Sequence, residues 1–396
     1  MTNFWQDLPT PFFVVAPMAD VTDAPFRCLI AKHSAHEHAN GTIGGEKVPC
    51  STFSPVPTKG RKQAMLNEVR QPVGGPDVMW TEFVAADGLM RATPEGKEKL
   101  MADLMYSEEE RPIVAQLFSS NEEYMEAACA LCLELGFDGV DINMGCPDKS
   151  IEKQGCGSAM IKNPENAKAI IRAAKRGCKS DTLEGIPVSV KTRLGYNEDE
   201  LEQWLPAILS ENPAAVTIHG RTRKELSKVP AKWDRIARAV EIRNELGVDT
   251  RILGNGDVLS MEDAKQKAQV SGVDGVMIGR ALFGNPWFFH PTKRIPLSLT
   301  ALPTHGVNRE DIVVSDTSDD SLEYITLKER LFVMIEHTKL FEELLSFKNF
   351  SIMKKHYKAY VSGFHDASHL RVALMQCNNS EEVESIVHEF LKTRTL

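Results

Sequence analysis

A chain of 396 residues exceeds the roughly 150 of one ordinary domain and has room for an α/β barrel of ~250 residues plus a smaller unit. With 42% hydrophobic and 26% charged residues it can bury a large core, which excludes intrinsic disorder, and no apolar run nears the ~18 residues of a spanning helix. A net charge of −9 weighs against a general polyanion binder, and eight cysteines at this length fit a reducing compartment, so a cytoplasmic protein with no membrane contact is expected.

The first residues carry Asp7, Pro9 and Pro11 where a secretory signal needs a basic region and an apolar stretch. From residue 13 to about 290, short apolar runs alternate with helical patterns. Eight runs rich in Val and Ile predict strands: Phe13–Pro17, Asp77–Thr81, Pro112–Gln116, Gly139–Asn143, Pro187–Thr192, Ala215–His219, Arg251–Asn255 and Asp274–Ile278. Polar residues gather at their ends, the pattern of strands buried on both faces. The helices between them have start and stop signals. Asn121 precedes Glu122 and Glu123, with Gly136 beyond; Asn163-Pro164 opens another, with Gly177 beyond. Ser260-Met-Glu-Asp263 reads as a capping box with Asp in place of Glu.

Eight β/α units over ~280 residues predict a TIM barrel. A doubly wound sheet would need a G-x-G-x-x-G turn after the first strand, where Met18-Ala-Asp-Val-Thr-Asp23 stands instead. The expected architecture is a (β/α)8 TIM barrel over residues 1–290, with an insertion at about 34–74 that is too long for an ordinary connection. A linker or inserted loop over 291–320 contains Ser315-Asp-Thr-Ser-Asp-Asp320, and a smaller all-α domain fills 321–396. Beyond Ser321 the pattern is purely helical, with Leu322, Ile325, Leu331, Met334 and Ile335 on one stripe and no Gly or Pro through residue 361. Lys348, Lys354, Lys355, Lys358 and Arg371 face only Asp366 within 345–371, a local basic patch on an acidic chain.

Barrel enzymes carry their chemistry at the C-terminal ends of the strands. Those ends read Met18, Thr81-Glu82, Gln116, Asn143, Lys191 with Arg193, His219 with Arg221, Asn255-Gly-Asp257 and Gly279-Arg280. The last two follow strands seven and eight, where glycines admit a phosphate to the backbone N–H groups and Arg280 can fork onto its oxygens. In Asn143-Met-Gly-Cys-Pro147 a thiol stands in a shaped turn after strand four, as nucleophile, metal ligand or general acid. Cys129-x-x-Cys132 lies within a helix without a second pair and reads as core; His33, His36, His38 and Cys50 lack ordered ligand spacing, so no metal is expected.

Six segments, in order and spacing, resemble the tRNA-dihydrouridine synthases: Ala16-Pro-Met-Ala-Asp-Val-Thr-Asp-Ala-Pro-Phe-Arg27, Asp141-Ile-Asn-Met-Gly-Cys-Pro147, Val190-Lys-Thr-Arg-Leu-Gly195, Ile218-His-Gly-Arg-Thr222, Gly254-Asn-Gly-Asp257 and Ile278-Gly-Arg-Ala281. The helical tail fits too. Asp148 departs from the Ser usual after Cys-Pro, and the two insertions are extra. The resemblance implies an FMN enzyme, reduced by NADPH, that converts tRNA uridines to 5,6-dihydrouridine. It implies that Pro17, Met18, Ala19 and Gln116 contact the flavin ring, with Lys191 at its N1/O2 edge and His219 lining it. Asn255, Gly256, Asp257, Gly279 and Arg280 would hold the ribityl phosphate. Asn143 and Arg193 would orient the uracil, and Cys146 would protonate C5 as hydride reaches C6. That role needs a neutral thiol without a close cationic partner. The uridine must be flipped out of the tRNA stack, and Lys354, Lys355 and Lys358 are the expected backbone contacts. No protein partner is implied. A reductase of the dihydroorotate dehydrogenase type needs no basic helical tail, and an RNA-binding barrel without enzymatic activity would carry no flavin.

Overall fold

The computed structural model describes residues 3–34, 74–296 and 321–393. All eight predicted strands form: β1 (Phe12–Val15), β2 (Met79–Ala85), β3 (Ile113–Phe118), β4 (Gly139–Met144), β5 (Val188–Arg193), β6 (Ala215–His219), β7 (Arg251–Asn255) and β8 (Gly275–Ile278). They pair in parallel in the order β1-β8-β7-β6-β5-β4-β3-β2. A bridge between Val14 and Val78 joins the two ends, with Val15 N donating to Val78 O at 3.1 Å and Asp77 N to Phe13 O at 2.8 Å. The sheet is a closed (β/α)8 barrel, and helices follow β2 to β7 in the alternation read from the sequence. β2 runs four residues beyond the expected end. Thr81 and Glu82 are buried within it, at a register shift between Trp80 and Phe83, because each polar group has a partner. Thr81 Oγ1 accepts from Gln116 N at 3.1 Å, and Glu82 accepts from Asp20 N.

The described residues fall into two compact units: 3–22 with 76–279, and 23–34, 74–75, 280–296 with 321–393. In the first, a short helix Phe4–Asp7 puts Trp5 into a fully buried cluster with Phe12, Val14, Val78, Trp80 and Val114. The helix starts work as read. Asn121, Asn163 and Ser260 accept from Tyr124 N, Asn166 N and Asp263 N. The Asp263 carboxylate closes only part of a capping box, since it takes Leu259 N rather than Ser260 N.

In the second unit, the helices Ala24–Ser34, Leu327–Leu344, Met353–Tyr360, Ala367–Leu374 and Ser380–Lys392 share one core with Leu29, Trp287, Met334 and Tyr357. The helical run breaks over 345–349 despite lacking Gly and Pro there, because Asn349 caps a new turn by accepting from Ser351 N at 2.9 Å. The tail is also not purely helical: Glu323–Tyr324 pairs in parallel with Lys293–Arg294. The rest of the 291–320 segment, and the 34–74 insertion apart from Ser34 and Gly74, lie outside the described residues, as do His36, His38 and Cys50. Among the described residues no helix is long and apolar enough to cross a membrane, and no cluster of three metal-ligating side chains occurs.

Candidate active site

Strand pleating sends alternate side chains inward, so Asp141 and Asn143 on β4 face the same interior as Ser189, Lys191 and Arg193 on β5. The Cys146 turn grows directly out of β4. Asn143 Oδ1 accepts from the backbone N–H of Gly145 at 3.1 Å and of Cys146 at 2.9 Å. From the other side, Ser158 N donates to Cys146 O at 3.0 Å. Gly157 permits that approach: it has φ +60, and a Cβ there would lie 2.7 Å from Cys146 O.

Arg193 closes the turn. Its Nε donates to Gly145 O at 2.7 Å, and Nη1 to Thr222 O at 3.3 Å and Leu226 O at 3.2 Å. Burial lowers its pKa to about 10. Lys191 Nζ reaches Asn255 Oδ1 at 3.4 Å, and no carboxylate among the described residues pairs with it within 4.0 Å. Burial, then the neighbouring Arg193 charge, lowers the ammonium to about 8. The Cys146 thiol has these two cations within electrostatic range, and no hydrogen bond from either to its sulfur occurs among the described residues. Burial outweighs them and the hydrogen bond from the Asp148 backbone, and pushes the thiol above its ordinary value, with the Asp148 charge adding to the rise. It is therefore protonated at neutral pH, as a proton donor must be.

Around the barrel mouth, Met18 N donates to Thr22 Oγ1 at 2.8 Å, which pins the turn containing Pro17, Met18 and the exposed Ala19. A Cβ on Gly279 would sit 3.4 Å from Met18 Sδ, so these two residues meet. Arg221 Nη1 can only donate, so His219 Nε2, 3.0 Å away, accepts and the ring carries its proton on Nδ1. Asp257 binds Arg221 and accepts from Ala231 N at 2.7 Å. Its carboxylate is thus occupied, and what it can offer an anion is backbone. Gly256, at φ +128, brings bare backbone against His219, whereas Gly254 is required for packing: a Cβ there would strike the Trp233 ring at 2.4 Å. Arg280 and Lys354, Lys355 and Lys358 belong to the second unit. Arg280 follows Gly279 directly and is exposed. The three lysines lie on the helix Met353–Tyr360.

Sequence reasoning missed Asp141 as a separate residue, Ser158, and the Arg221–Asp257 pair. Ser158 stands close to Cys156, which is buried against Phe118 and Ile151 and has no role in the sequence reading. Only the placement of Asp141 two residues before Asn143 on a strand could have flagged it.

The dihydrouridine synthase family pattern matches residues 14–395. The chain belongs to the dihydrouridine synthase family. A probable tRNA-dihydrouridine synthase of Staphylococcus aureus (strain COL) is 34% identical over 389 residues, covering 98% of this chain and 95% of that protein. Probable tRNA-dihydrouridine synthase 2 of Bacillus subtilis (strain 168) is 33% identical over 389 residues, covering 98% and 96%. A probable tRNA-dihydrouridine synthase of Staphylococcus epidermidis (strain ATCC 35984) is 33% identical over 392 residues, again covering 98% and 96%.

Proposed function

We propose that this protein reduces uridines of tRNA to 5,6-dihydrouridine in the cytoplasm, with FMN as hydride carrier and NADPH as reductant. The observation that carries the reading is a neutral thiol on a braced turn beside a buried ammonium that no carboxylate among the described residues contacts within 4.0 Å. The donor set suits FMN. Lys191 offers positive charge to an anionic ring edge; Gln116, His219 and the Pro17–Ala19 turn line the same mouth; Asn255, Gly256, the Asp257 backbone, Gly279 and Arg280 would hold the phosphate. Bound there, FMN would pass hydride from NADPH to C6 of the uracil. Cys146 gives its proton to C5 and is reprotonated from solvent. Asn143 and the remaining NH2 group of Arg193 orient the uracil oxygens. The helices of 321–396 supply the tRNA contact through Lys354, Lys355 and Lys358.

The test separates the two half-reactions. In Cys146→Ala, NADPH oxidation continues near the wild-type rate while dihydrouridine formation falls by roughly 10²-fold, the scale of a lost general acid. Equal loss of both would make Cys146 structural, and a wild-type protein that binds no added FMN would remove the basis of the reading.

A further inference from the structure

Asp141 is fully buried between β3 and β5, and its hydrogen bonds run in one direction. Oδ2 accepts from Gln116 Nε2 at 2.7 Å and Oδ1 from Ser189 Oγ at 2.6 Å. Gln116 Oε1 in turn accepts from Asn143 Nδ2 at 3.1 Å, and Asn143 Oδ1 accepts from the N–H groups of Gly145 and Cys146. A carboxylate can only accept and a peptide N–H can only donate. The two carboxamides between them therefore have a single orientation that satisfies every contact. Reversing either one sets oxygen against oxygen in a buried place, where an unmet polar group is costly.

We propose that Asp141 is a positioning residue for uridine reduction: by accepting from Gln116 it fixes the direction of the Gln116–Asn143 relay, and through it the backbone of the Cys146 turn. The relay leaves one N–H of each amide for a ligand acceptor. The inference rests on the reading of Cys146 as proton donor. The other groups facing Asp141 are Lys191 on β5 and the Trp80 indole on β2. Burial raises the carboxyl pKa to about 6, against the opposing pull of Ser189, Gln116 and Lys191. Below that pH Asp141 acquires an O–H, can itself donate, and no longer dictates the direction of the relay.

The turn can be read without flavin or tRNA, by alkylating the full-length protein with iodoacetamide and following the Cys146 peptide by mass spectrometry. Asp141→Asn should alkylate several-fold faster than wild type at about pH 7.5, and the two should converge near pH 5, where both carry a neutral group at 141. Ser189→Ala keeps the carboxylate but removes one donor to it, so its departure from the ordinary thiol pH profile should begin at higher pH than in wild type. In the flavin-loaded enzyme Asp141→Asn should lower kcat for dihydrouridine formation roughly ten-fold with KM for tRNA unchanged, as a misplaced acid would. Equal alkylation rates at pH 7.5, or a ratio constant with pH, overturn the proposal. Should Asp141→Asn not fold, an unshifted Ser189→Ala profile overturns it instead. A wild-type enzyme that makes no dihydrouridine would defeat the functional reading while the alkylation result still judges the relay.

Discussion

Arg193 shows what a planar fork does that a point charge cannot. Two of its nitrogens serve three backbone carbonyls, those of Gly145, Thr222 and Leu226, and so tie the Cys146 turn to the loop after β6. A lysine has one nitrogen on a flexible stem and cannot span them. Arg193→Lys should therefore leave at least one carbonyl unmet in a buried place and destabilise the fold by about 1–3 kcal/mol, read as a lower urea midpoint at neutral pH. An unchanged midpoint would mean that these hydrogen bonds do not brace the turn. That Arg193 faces the interior was legible, because positions 189, 191 and 193 alternate onto one face of a strand. Its partners were not, because Thr222 and Leu226 stand 29 and 33 residues away on another loop. Asp141 was hidden for a similar reason: a sequence shows a carboxylate but not whether it is buried, and burial is what gives this one its influence.

Elements were read best where one force dominates. A strand buried on both faces is apolar throughout, so all eight were legible, and errors arose where a polar residue is buried with a partner. Thr81 and Glu82 looked like a strand end for that reason. The break at 345–349 was invisible because a cap, not a helix breaker, makes it. The helix Met353–Tyr360 was legible as a basic element. Its Met353, His356, Tyr357 and Tyr360 are buried, while Lys354, Lys355 and Lys358 fall within a ~100° arc of the other face. Replacing all three lysines with Ala should weaken tRNA binding and reduce the slope of log affinity against log salt by up to about 3, roughly one for each phosphate left without its lysine. NADPH oxidation without tRNA should be unaffected. A tRNA titration at several salt concentrations decides; an unchanged slope would move the RNA surface away from this helix.

At the scale of the whole molecule, pH acts through groups of opposite sign. His337 and His356 are fully buried in the second unit, with ring centroids 4.6 Å apart and Phe26, Phe283 and Tyr360 around them. Burial lowers His337 to about 3, against a small opposing pull from Glu336. Burial, then His337 and Lys355, also lowers His356. An imidazole whose folded pKa is depressed stays neutral in the native state while the unfolded chain takes up a proton below about pH 6.5. Stability is then lost as pH falls, by about 1.4 kcal/mol per unit for each ring. Asp141 acts in the other direction, since its folded pKa of about 6 lies above the usual carboxylate value and the native state takes up its proton first. Glu336 does not contribute in this window, because its pairing with His33 and Lys32 holds it, despite burial, near 2. Between about pH 6 and 5 the two rings therefore outweigh Asp141, and the protein should lose stability on acidification. His356→Leu removes one ring at nearly constant volume. Whatever its stability at neutral pH, its urea-derived free energy should fall less steeply than that of the wild type by about 1.4 kcal/mol per pH unit over this window. Parallel curves would show that His356 takes up its proton in the folded protein, and that the pair is not the source of acid sensitivity.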